Sequence, residues 1–245
     1  MKVLILGAAG NTGSRLMGGA IAAGCAVTVL IRDREKFVRC GGPIDHVRVE
    51  TGDATADAVL DQAMANQDVV INAAGNANDG PVFQALVHGV IAAAERVLGP
   101  GGRLWLFGGA AALDIPGTGL VGTDLPGVPA IYQAHRSNYE RVRATALDWS
   151  MLCPGPMIDS TSGHAHEGLR ISIDGLPFPP RPWARIVPRI VHLADFATRL
   201  GELTITYEDA AKVILDNLTP GGALSRRRVG VALPTGMRLR KRRAG

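Results

Sequence analysis

The chain has 245 residues, 47% hydrophobic and only 4% aromatic, with a formal net charge of +4, a composition that suits one core packed from Ala, Val, Leu and Ile. Its apolar runs are too short for a bilayer or are broken by Gly and Pro, and no basic-then-apolar leader opens it, so a soluble, cytoplasmic protein with no membrane partner is expected. Three well-separated cysteines, Cys25, Cys40 and Cys153, lack metal-ligand spacing and fit a reducing compartment.

In chain order, short β-branched runs alternate with helical patterns. Strands are expected at Lys2–Leu6, Ala26–Ile31, His46–Val49, Asp68–Asn72, Arg103–Phe107 and Trp149–Cys153. Helices are expected between them at Thr12–Ala23, Asp57–Ala65, Val82–Leu98 and Ile131–Ala146. The third helix carries the clearest stripe: Phe83, Leu86, Val87, Val90, Ile91, Ala94, Val97 and Leu98. A late helix, Tyr207–Leu218, and a last strand, Val229–Leu233, follow. Strict alternation with near-continuous apolar strands predicts an α/β fold, a Rossmann-like doubly wound parallel sheet, as one domain over 1–245. Ligands of such sheets bind beyond the strands' carboxyl ends, where the strand order reverses.

Two stretches break the alternation. Residues 114–130 are rich in Gly and Pro, and residues 155–201 read as an irregular region, Pro-rich around Leu176–Pro188. Both follow strands whose carboxyl ends should face ligand, so both are expected to rim a substrate site. Eight basic side chains (Arg226, Arg227, Arg228, Arg238, Arg240, Lys241, Arg242 and Arg243) fall in residues 226–245 without an acid. Subtracting them leaves 4 − 8 = −4, so the basic balance reads as belonging to a tail, frayed and solvated over 234–245, rather than to a nucleic-acid-binding body. Oligomeric state has no signal in the sequence.

The run Gly7-Ala8-Ala9-Gly10-Asn11-Thr12-Gly13 follows the first strand and opens the first helix, the context that gives a GxxGxxG pattern meaning. Gly7 permits the turn, Gly10 lets backbone N–H groups approach a pyrophosphate, and Gly13 permits close helix–strand packing. Asn11 and Thr12 complete the expected contact loop. Arg32, at the end of the second strand, sits where an acid would select NAD(H); its guanidinium suits the 2′-phosphate of NADP(H). Asp33 beside it leaves NAD(H) open. Asp53 reads either as an adenine contact or as a turn residue. Ala73, Ala74 and Gly75 end the fourth strand and are small enough for backbone to approach cofactor, or for packing alone.

In KVLILGAAGNTGSRL, VLIRDREKF, the GD at 52–53, LFGGAAALDIPG, LDWSMLCPGP and ITYEDAA the chain resembles the atypical short-chain dehydrogenases/reductases. More narrowly, it resembles the NAD(P)H-binding flavin reductase and biliverdin reductase B-like group. The resemblance spans residues 1 to about 215 and implies NADPH as hydride donor and a flavin or tetrapyrrole acceptor. It also implies a Tyr-xxx-Lys pair, and here Tyr132 and Arg136 occupy those places as candidate catalytic residues, with a structural tyrosine the alternative at Tyr132. Arg136 brings positive charge, but a guanidinium that stays protonated cannot relay a proton. The superfamily's serine is absent from Gly108-Gly109-Ala110-Ala111-Ala112. A site without that serine suits a delocalised acceptor, which solvent can protonate, better than a ketone, which needs a positioned acid. A NADPH-dependent reductase with a small-molecule acceptor is the leading expectation; a non-catalytic NADP(H)-sensing protein fits the same losses. His164 and His166 lack a third ligand, so no metal site is expected. His135 shares a helix with Tyr132 and could point to the site, although the one-turn offset favours a surface or packing role.

Overall fold

The computed structural model describes residues 1–39, 42–76, 78–129 and 132–240. Cys40, the expected helix start at Ile131, the last residue of the 114–130 loop and the final five residues lie outside these. Ten strands and seven helices are described. The sheet runs through β1 (Lys2–Leu6), β2 (Ala26–Ile31), β3 (Val47–Thr51), β4 (Val69–Asn72), β5 (Arg103–Phe107), β6 (Asp148–Cys153), β8 (Arg170–Ile173) and β10 (Arg227–Ala232). Their spatial order is β3-β2-β1-β4-β5-β6-β10-β8, parallel except for β8, which pairs antiparallel with β10. Two short strands, β7 (Met157–Ile158) and β9 (Ile205–Thr206), form a separate parallel pair. The chain winds outward from β1 to β3, then returns to β4 and winds the other way. This puts the switch point between β1 and β4, at Gly7–Gly13 and Ala73–Gly75.

Period-two alternation within the buried strands builds both cores. Leu4 and Leu6 of β1 join Leu60, Met64, Val87, Val90 and Ile91 beneath α3 (Asp57–Met64), α4 (Gly80–Val97) and α5 (Gln133–Arg143). Val3 and Ile5 face the other way, joining Leu16, Ala20, Ala210 and Ile214 of α1 (Asn11–Ala22) and α7 (Tyr207–Leu215). Each fully buried Leu or Ile contributes about 1.5–3 kcal/mol. α4 starts two residues before its predicted first residue because Pro81 fits the first turn, where its missing N–H costs nothing.

Three expectations need correction. The 155–201 region is not irregular throughout: it holds β7, β8 and the fifteen-residue helix α6 (Arg189–Leu203). A short helix absent from the sequence reading, α2 (Arg34–Arg39), follows β2. The basic terminus is not a free tail from residue 226. Arg226 donates to the Leu147 carbonyl at 3.3 Å, and Arg227 pairs with Asp174 at 3.1 Å. Arg228 is buried, donating to the Ala112 carbonyl at 2.6 Å and to Asp114 at 2.9 Å. Arg238 reaches Glu202, and the Leu239 N–H bonds the Gly201 carbonyl at 2.8 Å. Cations placed beside carboxylates and carbonyls gain charge-assisted hydrogen bonds, so the chain stays on the fold at least through Leu239. No helix among the described residues is long and apolar enough to cross a membrane.

Candidate functional site

The glycine loop is a backbone cradle. Gly7 has φ +79°, and a Cβ there would lie 2.7 Å from the backbone of Ala73 and Ala74. A Cβ on Gly13 would lie 2.0 Å from the Gly7 carbonyl oxygen, so helix and strand meet with no room for a side chain. The Gly10 N–H turns back to Gly7 O at 2.9 Å, and no side chain caps α1. The first-turn N–H groups of Asn11, Thr12 and Gly13 thus have no helical acceptor, which suits an anion. These observations fit a dinucleotide pyrophosphate at Gly7, Gly10, Asn11, Thr12 and Gly13. The Asn11 side chain is otherwise engaged: its Nδ2 donates to the Tyr207 hydroxyl at 3.2 Å. Arg15, one turn on, is neutralised by Asp159 at 2.8 Å and Glu208 at 3.1 Å.

At the end of β2, Arg32 is exposed and near enough to Asp53 to help hold that carboxyl below the usual range. The larger cause is Thr55, whose N–H and hydroxyl both donate to Asp53 Oδ1 at 2.9 Å. Asp53 is therefore a turn residue in this structure, with its second oxygen outward. Asp33 accepts the Lys36 N–H at 2.8 Å at the start of α2. Asn72 Oδ1 accepts from the Ala74 N–H at 3.1 Å and shapes the end of β4. Gly75, at φ +119°, lies against Phe83, whose ring would be 2.5 Å from any Cβ.

From this loop a cleft of about 690 Å³ opens over the carboxyl ends of β4, β5 and β6, a volume in the range of small-ligand sites. Thr12, Ala73, Ala74 and Gly75 share its wall with Gly108–Ala111 after β5 and Pro154–Met157 after β6. Residues 127–129 of the first Gly/Pro-rich stretch and Leu193, Phe196, Ala197 and Leu200 of α6 form its rim. The i, i+3, i+4, i+7 spacing of those four was legible as a helical stripe and was masked by the prolines before it.

Tyr132 lines the cleft; Arg136 does not, because its Nη1 pairs with Asp124 at 2.9 Å. His135, one of the two roles expected for it being packing, is both packed and in the wall of the cleft. His135 is buried, packs edge-on to Phe83 at 5.3 Å, and is pushed down to about 4 by burial, so it stays neutral. A Cβ at Gly109 would sit 3.2 Å from the imidazole Cδ2. Gly109 lets α5 approach the end of β5.

The remaining histidine motif is structural. His166 Nδ1 lies 3.0 Å from Oδ2 of the fully buried Asp209, whose other partners include the backbone N–H groups of His166 and Thr206. No cluster of three metal-type ligands occurs among the described residues. The ITYEDAA segment is thereby accounted for: Thr206 and Asp209 cap α7, while Tyr207 and Glu208 reach α1.

Comparison with known proteins places this architecture. A Veillonella parvula short-chain dehydrogenase/reductase of the wide type, solved in complex with NADP, is 17% identical, with 99% of each chain covered and a TM-score of 0.66. A Streptococcus pneumoniae protein named for NADH-flavin reductases is 19% identical over 95% of this chain and 99% of that one, at 0.69. A Burkholderia pseudomallei protein named as exported is 24% identical over 95% and 99%, at 0.70. At such identities these likenesses establish the Rossmann-type fold. The model of the NAD(P)H-binding family matches residues 7–179, from the first glycine of the cradle to beyond β8, and the chain belongs to that family.

Proposed function

We propose that the protein is an NADPH-dependent reductase that delivers hydride to a flavin-like or other conjugated acceptor held in the cleft over β4, β5 and β6. The observation that carries this reading is the shared wall: Thr12 of the dinucleotide loop and Ala73–Gly75 of the switch point also line the cleft. These residues would hold a nicotinamide ring beside an acceptor in the cleft. When bound, the dihydronicotinamide supplies one hydrogen with two electrons and leaves oxidised, while a proton from solvent completes the acceptor's reduction. Arg32 supports NADP(H) over NAD(H), because the acid that would oppose a 2′-phosphate, Asp33, is committed to α2. Asp53, through its outward oxygen, is the candidate adenosine contact. Tyr132 stands at the acceptor's edge, and Arg136 acts through Asp124 to hold the start of α5.

The test is NADPH oxidation by the purified protein across flavins, quinones and simple ketones, with NADH as comparator. Turnover is expected with conjugated rings and not with ketones. Because a positioned general acid supplies about 100-fold or more, flavin turnover that survives Tyr132→Phe within about threefold identifies solvent as the proton source. Tight NADPH binding without turnover on any acceptor would replace this reading with a cofactor-sensing one.

A further inference from the structure

We infer that the cleft selects acceptors by charge, admitting an uncharged planar ring and rejecting the same ring carrying a phosphate, sulfonate or carboxylate. The inference rests on the reductase reading for its biological meaning but on the lining alone for its physics. Among the described residues, no Asp, Glu, Lys or Arg lines the cleft. Its two titratable side chains are Tyr132 and His135, and burial keeps His135 neutral.

Three neighbouring cations are each paired with acids, and Arg189, one turn before Leu193 on α6, stands near Asp124. Arg136 is held by Asp124 at 2.9 Å. On α6, Arg199 pairs with Asp195 at 3.1 Å and lies over Phe178 at 4.4 Å, lining a neighbouring pocket rather than this cleft. Arg15, nearest the loop, is neutralised by two acids. An anionic group entering this cleft loses hydration with no cation to replace it. The flat faces are supplied by Phe83, Phe107 and Tyr132, which suit a conjugated ring. Free flavin nucleotides and tetrapyrrole carboxylates are therefore poor ligands; riboflavin-like rings and plain quinones are good ones.

The experiment compares pairs that share a ring and differ in charge: riboflavin against FMN, and 1,4-naphthoquinone against its 2-sulfonate. Equilibrium binding of riboflavin and FMN to protein saturated with the redox-inactive tetrahydro form of NADPH, whose ring is uncharged, followed by flavin fluorescence, reads selectivity without turnover. Riboflavin is expected to bind at least tenfold more tightly than FMN, and kcat/KM is expected to favour the uncharged quinone by a similar factor. Equal or tighter binding of FMN overturns the inference. Flavin binding with that preference but no NADPH oxidation leaves the charge selection standing and removes the reductase reading. Leu200→Arg, at a part-exposed rim position (37% exposed), is expected to raise FMN affinity relative to riboflavin by at least fivefold. An unchanged ratio in this variant also counts against the inference.

Discussion

The rings of His135 and Tyr132 stack with centroids 6.2 Å apart and planes 30° apart, placing a neutral imidazole beside the phenol in the wall of the cleft. The two sit at the start of α5, one helical turn apart, and both face the end of β5 through the gap left by Gly109. The cleft chemistry follows from this contact, and so does a pH dependence of stability.

His135 falls from the ordinary 6.5 to about 4 on folding, through burial. The unfolded state binds the extra proton between those values. Stability from this group is therefore complete above pH 6.5 and is lost as pH falls towards 4. At 1.36 kcal/mol per unit the whole effect is about 3 kcal/mol. Urea midpoints measured from pH 7 to 4 should fall more steeply for the native protein than for His135→Gln. Parallel curves would show that His135 is not the titrating group.

Gly13→Ala should damage cofactor binding at a position no side chain contacts. Its Cβ would fall 2.0 Å from the Gly7 carbonyl oxygen, so loop and helix must separate. Overpacking of this kind costs about 1–3 kcal/mol of stability. NADPH affinity, read by fluorescence enhancement, should drop at least tenfold, whereas Gly18→Ala, with open space around its Cβ, should change nothing.

Arg32→Ala separates the two nicotinamide cofactors. A charge-assisted hydrogen bond is worth about 1.5–3 kcal/mol, so NADPH should weaken by roughly tenfold to a hundredfold while NADH stays within twofold. Asp33→Ala acts elsewhere: it removes the acceptor for the Lys36 N–H and should lower the melting temperature by a loss of about 1 kcal/mol. A switch in cofactor preference on Asp33→Ala would mean that the carboxylate faces the ribose after all.

Asp209→Ala should be among the most damaging changes remote from the cleft. The fully buried carboxylate accepts from the Thr206 N–H at 2.8 Å and the His166 N–H at 2.7 Å, and pairs with the His166 ring. Removing it strands these donors, at about 3 kcal/mol or more. Thr206→Ala, which loses only the cap hydroxyl, should cost about 1 kcal/mol. Equal melting temperatures for the two variants would refute the ranking.

The parallel strands and the dinucleotide loop were legible because both are local patterns. β1, β2 and β5 have the bounds expected from their apolar runs, and Gly7–Gly13 declares itself by spacing and by its place between strand and helix. Only the fold decided which partner each polar side chain takes. Asp33 caps a helix, Asp53 closes a turn and Asn11 reaches across to Tyr207, because hydrogen-bond partners are chosen by proximity that sequence spacing does not encode. The acceptor wall was equally hidden. It gathers α6, the end of β6 and α5 around His135, segments up to about seventy residues apart, brought together by burial of their apolar faces. The arginines after residue 225 read as a solvated charge run for the same reason. Asp174 and Asp114, the partners that hold Arg227 and Arg228, are adjacent to them only after β8 pairs antiparallel with β10.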